Sequence, residues 1–393
     1  MDFFFIISLL FLFIIIIISI LQKDFPGIMS KSRDKNGAAS GGTEADVAES
    51  CPEDMSYDWD SLRKMFNPRV FATPVIHGKT IYLVGGCDNV GQPIDTFEMF
   101  EKKRWHSLPS MPTKRANPAV GLVGDKIVVI GGVGTGQKPV TAVEVYDINE
   151  GKWVQMEGLV EGLLGVSSVV RDGKVLAVGG MATDTNPRDY FRSFDVEANR
   201  WKALSPMPTP RYATFSFLIK DKFYVIGGRQ GKLPCVAFEV YDFKEEKWEK
   251  LPDVPSKRVF ALYIYTECHI FSMGGLIQPG TEGFSNACEI FDLEKKQWTI
   301  GKSMPTKRGD FAIGILNNKV ICAGGLGNMG KPLDVVEAYD LATDSWTKLR
   351  SIPSTHCSCA YTLFEGKFYV FGGLTVQGPG TCAECLYLRG DDD

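Results

Sequence analysis

The side chains best placed to bind an anion recur at one position of the chain. Arg69, Arg115, Arg211, Arg258, Arg308 and His356 each stand sixteen residues before a Gly-Gly doublet, and the seventh equivalent position holds Leu163, with Glu157 and Glu161 nearby. A guanidinium is a planar fork that meets a carboxylate or phosphate with two parallel hydrogen bonds, so a ring of them suits an acidic segment of a partner. The stretches after the doublets add Asp88, Lys138, Arg188, Arg229, Lys232 and Lys331 around Gly/Pro-rich tips such as Gly91-Gln-Pro93 and Gly330-Lys-Pro332. The expectation is a broken basic ring, made of Arg69, Arg115, Arg211, Arg229, Arg258, Arg308 and His356, that takes a partner segment. The competing expectation is that these arginines bond neighbouring loop carbonyls and only support the scaffold.

Other reactive types do not assemble into a site. The four histidines are His77, His106, His269 and His356. In the register of the repeat, His77 and His269 fall in turns on the face opposite His356, and His106 follows a tryptophan on an outer strand. A copper centre built from two histidines is therefore not expected. Cys357 and Cys359 lie on an inner strand, and Cys382 and Cys385 are three apart on another, where i and i+3 point to opposite faces. Packing, not zinc binding, is expected of them. No phosphate loop or nucleophile elbow is present, so no catalytic residue, metal or cofactor is expected. A net charge of −4 with no basic stripe argues against nucleic acid. The ten scattered cysteines and the absence of any Asn-x-Ser/Thr site favour a reducing, cytoplasmic location.

The elements that carry these residues are set by an internal repeat. Doublets close apolar runs at Gly85, Gly131, Gly179, Gly227, Gly274, Gly324 and Gly372, spaced 46 to 50 residues apart. The seven tryptophans, Trp59, Trp105, Trp153, Trp201, Trp248, Trp298 and Trp346, each precede a doublet by 26 residues. In the fourth unit, strands are expected at 213–220, 223–228, 235–242 and near 248–251. Four short strands repeated seven times make an all-β propeller. Gly-Gly suits a point where backbones approach too closely for a Cβ, and one tryptophan per blade supplies apolar surface between neighbouring sheets.

With the doublets, Tyr146-Asp147, Tyr241-Asp242 and Tyr339-Asp340 before tryptophan, and Trp-x-x-Leu/Pro after it, the chain resembles the kelch family over about Trp59 to Leu388. Gly227-Gly-Arg-Gln-Gly-Lys-Leu-Pro234, Gly324-Gly-Leu-Gly-Asn328 and Cys357-Ser-Cys359 resemble the kelch domain-containing protein 8 group in particular. The resemblance implies a seven-bladed propeller without a catalytic or ubiquitin-ligase adaptor domain, and an acidic-peptide face on the side of the doublet loops. Trp59 has no doublet before it and Gly372-Gly373 has no tryptophan after it. The strand at Trp59 is thus expected to complete the last blade and close the ring.

The expected organisation is a hydrophobic segment over 1–28, a flexible linker over 29–56, the propeller over 57–388 and an acidic tail over 389–393. Residues 3–21 are long enough for a transmembrane helix, with the positive charges after them keeping the rest cytosolic. Their other reading is translated non-coding sequence ahead of a start at Met29. The function expected is that of a non-catalytic adaptor or scaffold for a protein partner. The alternatives are a small-molecule enzyme such as a sugar mutarotase working in the channel, or a membrane-tethered or cytoskeletal scaffold.

Overall fold

The computed structural model describes residues 51–277 and 283–390. The hydrophobic run at 3–21, the Met29 start and most of the expected linker lie outside the described residues. Among the described residues, no helix is long and apolar enough to cross a membrane.

The chain forms seven four-stranded antiparallel sheets. Blade one has strands Thr73–His77, Thr80–Val84, Phe97–Glu101 and Arg104–Leu108, from the channel outward. Blades two to six repeat that order. The fourth blade uses Phe215–Ile219, Lys222–Ile226, Phe238–Asp242 and Lys247–Leu251, each strand starting or ending a few residues from its expected limits. Second strands such as Ile81-Tyr-Leu-Val and Ile127-Val-Val-Ile are buried on both faces, which explains why they read as unbroken apolar runs.

Seven apolar layers form the core, one between each pair of neighbouring blades. The tryptophans do more here than fill volume. Every indole Nε1 donates to a backbone carbonyl on the chain leading out of the preceding blade, at 2.7–3.0 Å. Trp59, Trp105 and Trp346 are buried, while Trp153, Trp201, Trp248 and Trp298 keep one side in water. An indole suits this place because it joins a large apolar plate to a single donor.

The ring closes as expected. Tyr57–Ser61 pairs antiparallel with Ala383–Leu388 in the last blade, setting Trp59 opposite Leu386. Asp58 latches the closure by binding Arg350 at 2.6 Å and Arg389 at 2.8 Å, and these two arginines hold its carboxyl well below the usual range. Ordered structure also begins before residue 57. Glu53 bridges Lys348 on the outer strand of blade six, and the Lys348 N–H donates to Pro52 O at 2.8 Å. The end of the expected linker is therefore a short added edge, which covers exposed strand hydrogen bonds.

Candidate functional site

The position sixteen residues before each doublet lies on the link that enters an inner strand. The loop after the doublet opens on the same face, because alternate connections in an antiparallel blade emerge together. The structure corrects the expected basic ring. Arg69, Arg115, Arg211, Arg258, Arg308 and His356 are all buried, and none offers its charge to solvent.

Each instead meets a glutamate on the third strand of its own blade. Arg211 and Glu239 are 2.7 Å apart, Arg308 and Glu337 2.5 Å, and His356 and Glu384 2.5 Å. Arg69 pairs with Glu98 and Arg258 with Glu289. Arg115 lies 2.7 Å from Glu144 as an ion pair off the hydrogen-bond direction. Burial lowers the affinity of Arg69 and Arg115 for their protons, and the neighbouring carboxylates counter it.

The carboxylates are satisfied a second time by the residue two before the cation. Thr113 binds Glu144 at 2.5 Å, Thr209 binds Glu239 at 2.5 Å, Thr306 binds Glu337 at 2.6 Å and Ser354 binds Glu384 at 2.7 Å. Ser256 does the same for Glu289, and the Asn67 amide does so for Glu98. The cation also donates inward, as Arg115 to Gly131 O at 3.1 Å and Arg308 to Gly324 O at 3.0 Å.

The doublet completes the joint with the next blade. A Cβ on Gly85 would sit 2.4 Å from Arg115 O, and Gly86 N–H donates to that oxygen at 3.0 Å. Only a residue without a Cβ fits there, and the positive φ of both glycines agrees. Cation, glutamate, hydroxyl and doublet thus form one buried knot in each of six blades, with the Asn67 amide replacing the hydroxyl in blade one and His356 the arginine in blade seven. The signal was in the sequence as Ser/Thr/Asn-x-Arg/His, matched in blades two, four, five and six by a glutamate two residues before Tyr-Asp or Phe-Asp.

Blade three tests that account. Where Leu163 replaces arginine, Arg192 replaces the paired glutamate, so both charges of the buried pair vanish together. Arg192 lies over the Tyr190 ring at 4.4 Å. The blade's ion pair has moved outward and reversed: Glu161 on the link takes Arg188 of the loop at 2.8 and 2.9 Å, and Tyr190 donates to Glu161 at 2.6 Å.

Arg229 differs from the rest. It stands two residues past its doublet start, where the other blades carry Cys87, Val133, Met181, Leu276, Leu326 and Leu374. It is 5% exposed, approaches the rings of Tyr212 and Phe260, and leaves its Nε without a partner. This too corrects the expectation of an accessible basic group.

Different groups reach solvent on this face. The middle residues of Thr113-Lys-Arg, Ser256-Lys-Arg and Thr306-Lys-Arg, which are Lys114, Lys257 and Lys307, are exposed and in no ion pair among the described residues. The loop tips expose Met329 (79%), Val90 (68%), Leu233 (58%) and Val376 (51%). On the opposite face, a cleft of about 1100 Å³ is lined largely by charged residues, among them the pairs Lys222–Asp242, Lys295–Asp292 and Arg171–Asp221.

The channel holds a second set of residues that sequence reasoning missed. Fourteen residues before the doublets stand Phe71, Asn117, Gly165, Ala213, Phe260, Asp310 and Ser358, all with φ between 47° and 64°. They form a collar tied from blade to blade, with Asn117 N–H to Phe71 O at 3.0 Å, Ala213 N–H to Gly165 O at 2.7 Å and Phe71 N–H to Ser358 O at 3.0 Å. Left-handed backbone costs a bulky residue on the order of 1–2 kcal/mol, so two phenylalanines here are notable strain. A cavity of about 440 Å³ lies against the collar and the start of the inner strands.

The four histidines stay apart, and among the described residues no three His, Cys, Asp or Glu side chains come together as a metal site. Cys357 and Cys385 are buried in apolar layers, Cys382 accepts from Ser354, and all ten cysteines are free thiols.

Two family models match the chain. The KLHDC2/KLHL20/DRC7 Kelch-repeats domain covers residues 165–373, and the Attractin/LZTR1 beta-propeller covers 55–263. Kelch domain-containing protein 8B of Homo sapiens is 39% identical over 170 residues, a stretch that covers 41% of this chain and 48% of that protein. Kelch-like protein terF of Aspergillus terreus is 26% identical over 350 residues, covering 82% of this chain and 74% of that protein. A solved fungal alcohol oxidase of the AA5 family, in complex with copper, superposes with a TM-score of 0.66 at 16% identity, over 84% of this chain and 76% of its own. At that identity the likeness is one of fold.

Proposed function

The chain belongs to the kelch-repeat β-propeller family, and from that premise we propose that it is a non-catalytic adaptor that holds a segment of a protein partner on its doublet-loop face. The observation that carries this reading is the set of apolar side chains exposed at four loop tips, Val90, Leu233, Met329 and Val376, above a base whose cations are buried. Rigid loops with apolar tips lose little freedom on binding and gain most from covering those tips. Lys114, Lys257, Lys307 and Lys331 around them favour an acidic segment. The buried arginines then serve the face by holding its loops. The free thiols agree with a cytoplasmic setting. Enzymatic use of the channel is disfavoured, because the lining of its cavity offers Asp310 as the one charged group and no histidine or lysine beside it.

The test is proximity labelling in cells with the full chain, comparing wild type with Lys114→Glu/Lys257→Glu/Lys307→Glu and with Met329→Asp/Val376→Asp. These are surface changes, so melting should stay within the range of about 0.5 kcal/mol typical of such sites. Loss of a shared set of proteins from both folded variants supports the reading. An unchanged set from both would move the partner site to another face.

A further inference from the structure

We propose that the channel cavity is a binding site for a small organic ammonium ion, held by the Asp310 carboxylate and the rings of Phe71 and Phe260. The collar is strongly asymmetric. Around four consecutive blades, five, six, seven and one, it reads Phe260, Asp310, Ser358, Phe71. Across the channel stand Asn117, Gly165 and Ala213, whose shorter side chains leave room. The cavity of about 440 Å³ is lined by the collar residues other than Gly165 and by Phe311 and Tyr361, and it falls in the size range of small-molecule pockets.

Asp310 is the one charged residue in that lining. It accepts a hydrogen bond from Ser358 Oγ and forms no ion pair among the described residues. Surrounding protein pushes its carboxyl up to about 6, so near neutral pH it carries a charge that no protein cation answers. Cys357, Cys359 and Tyr361 are the titratable groups beside it, and burial raises all three so that they stay neutral. The nearby arginines meet lining rings: Arg229 lies 5.7 Å from the Phe260 centroid, and Arg308, paired with Glu337, lies 5.5 Å from the Phe311 centroid. A carboxylate that shares a cavity with the side chains of Phe71, Phe260, Phe311 and Tyr361 is complementary to an alkylammonium, which needs one anion for its charge and aromatic surface for its methyl groups. The two phenylalanines hold left-handed backbone that glycine or asparagine would adopt more easily, which singles these positions out from the rest of the collar.

The site is independent of the loop-tip reading, so the two fail separately. The probes are choline and its neutral carbon isostere 3,3-dimethyl-1-butanol, titrated against the full chain by calorimetry at about pH 7.5. Choline is expected to bind saturably and at least about tenfold more tightly than the isostere. Asp310→Asn, which can still accept from Ser358, should weaken choline about tenfold or more and leave the isostere unchanged, with a thermal melt confirming its fold. The Lys114→Glu/Lys257→Glu/Lys307→Glu variant should bind choline as wild type does. Equal binding of the two probes, no saturable choline binding up to about 20 mM, or full choline binding by folded Asp310→Asn would each overturn the proposal.

Discussion

Asp310 shows what one residue does in this setting. Its carboxyl titrates higher in the folded chain, about 6 against 3.8. The folded state therefore holds its proton more tightly, and the residue's unfavourable contribution is absent below about pH 4. It grows as pH rises to 6 and is complete above that. Replacing Asp310 by Asn should then stabilise the protein at pH 7 by roughly 1–2 kcal/mol, after discounting for water reaching the channel. The gain should disappear near pH 4, and denaturant unfolding at both pH values measures it. A destabilised variant at pH 7 would show that the carboxylate is structural.

Within a blade, the unit of stability is the buried knot. Removing one partner of a buried ion pair leaves an uncompensated charge, which costs about 3–5 kcal/mol. Arg308→Leu should lose that much, since Glu337 would stay buried without its cation, with Thr306 still bonded to it. Arg308→Leu/Glu337→Leu should recover most of it, as blade three already lives without the pair at Leu163 and Arg192. A double-mutant cycle by denaturant unfolding gives the coupling. Additive losses would mean that the pair is not a unit. The knot was half legible in the sequence. The recurrence of Arg69, Arg115, Arg211, Arg258 and Arg308 was plain, but their direction was not, because a side chain at the base of a loop can turn to the rim or to the sheet. The glutamates decide it, and they sit nearly thirty residues away in the chain.

At the scale of the molecule, the ring depends on a seam made by the chain's two ends. Tyr57–Ser61 supplies the outer strand of the last blade, Trp59 donates to Arg350 O, and Asp58 joins Arg350 and Arg389. Deleting residues through Ser61 should cost more than the ~3–5 kcal/mol of a large core truncation, and bare the Ala383–Leu388 edge to pairing with other copies. The expected result is a markedly lower melting temperature with concentration-dependent aggregation. Asp58→Asn should give a milder loss and no aggregation. A deletion that melts like the full chain would show that the first strand is dispensable.

The amino-acid sequence alone determined the number of blades, the strand order and the manner of closure. Those follow from local signals repeated in register: a doublet that needs positive φ, an apolar run, and a tryptophan at a constant interval. It also showed that a cation recurs sixteen residues before six of the seven doublets. Only the tertiary structure decided which way that position points, so the cations expected at the rim became buried supports while Lys114, Lys257 and Lys307 and the apolar tips took the surface. It alone brought Phe71, Phe260, Asp310 and Ser358 into one collar. Residues hundreds of positions apart become neighbours there because a closed ring sets equivalent points of its repeats around one axis, and no local signal carries that distance.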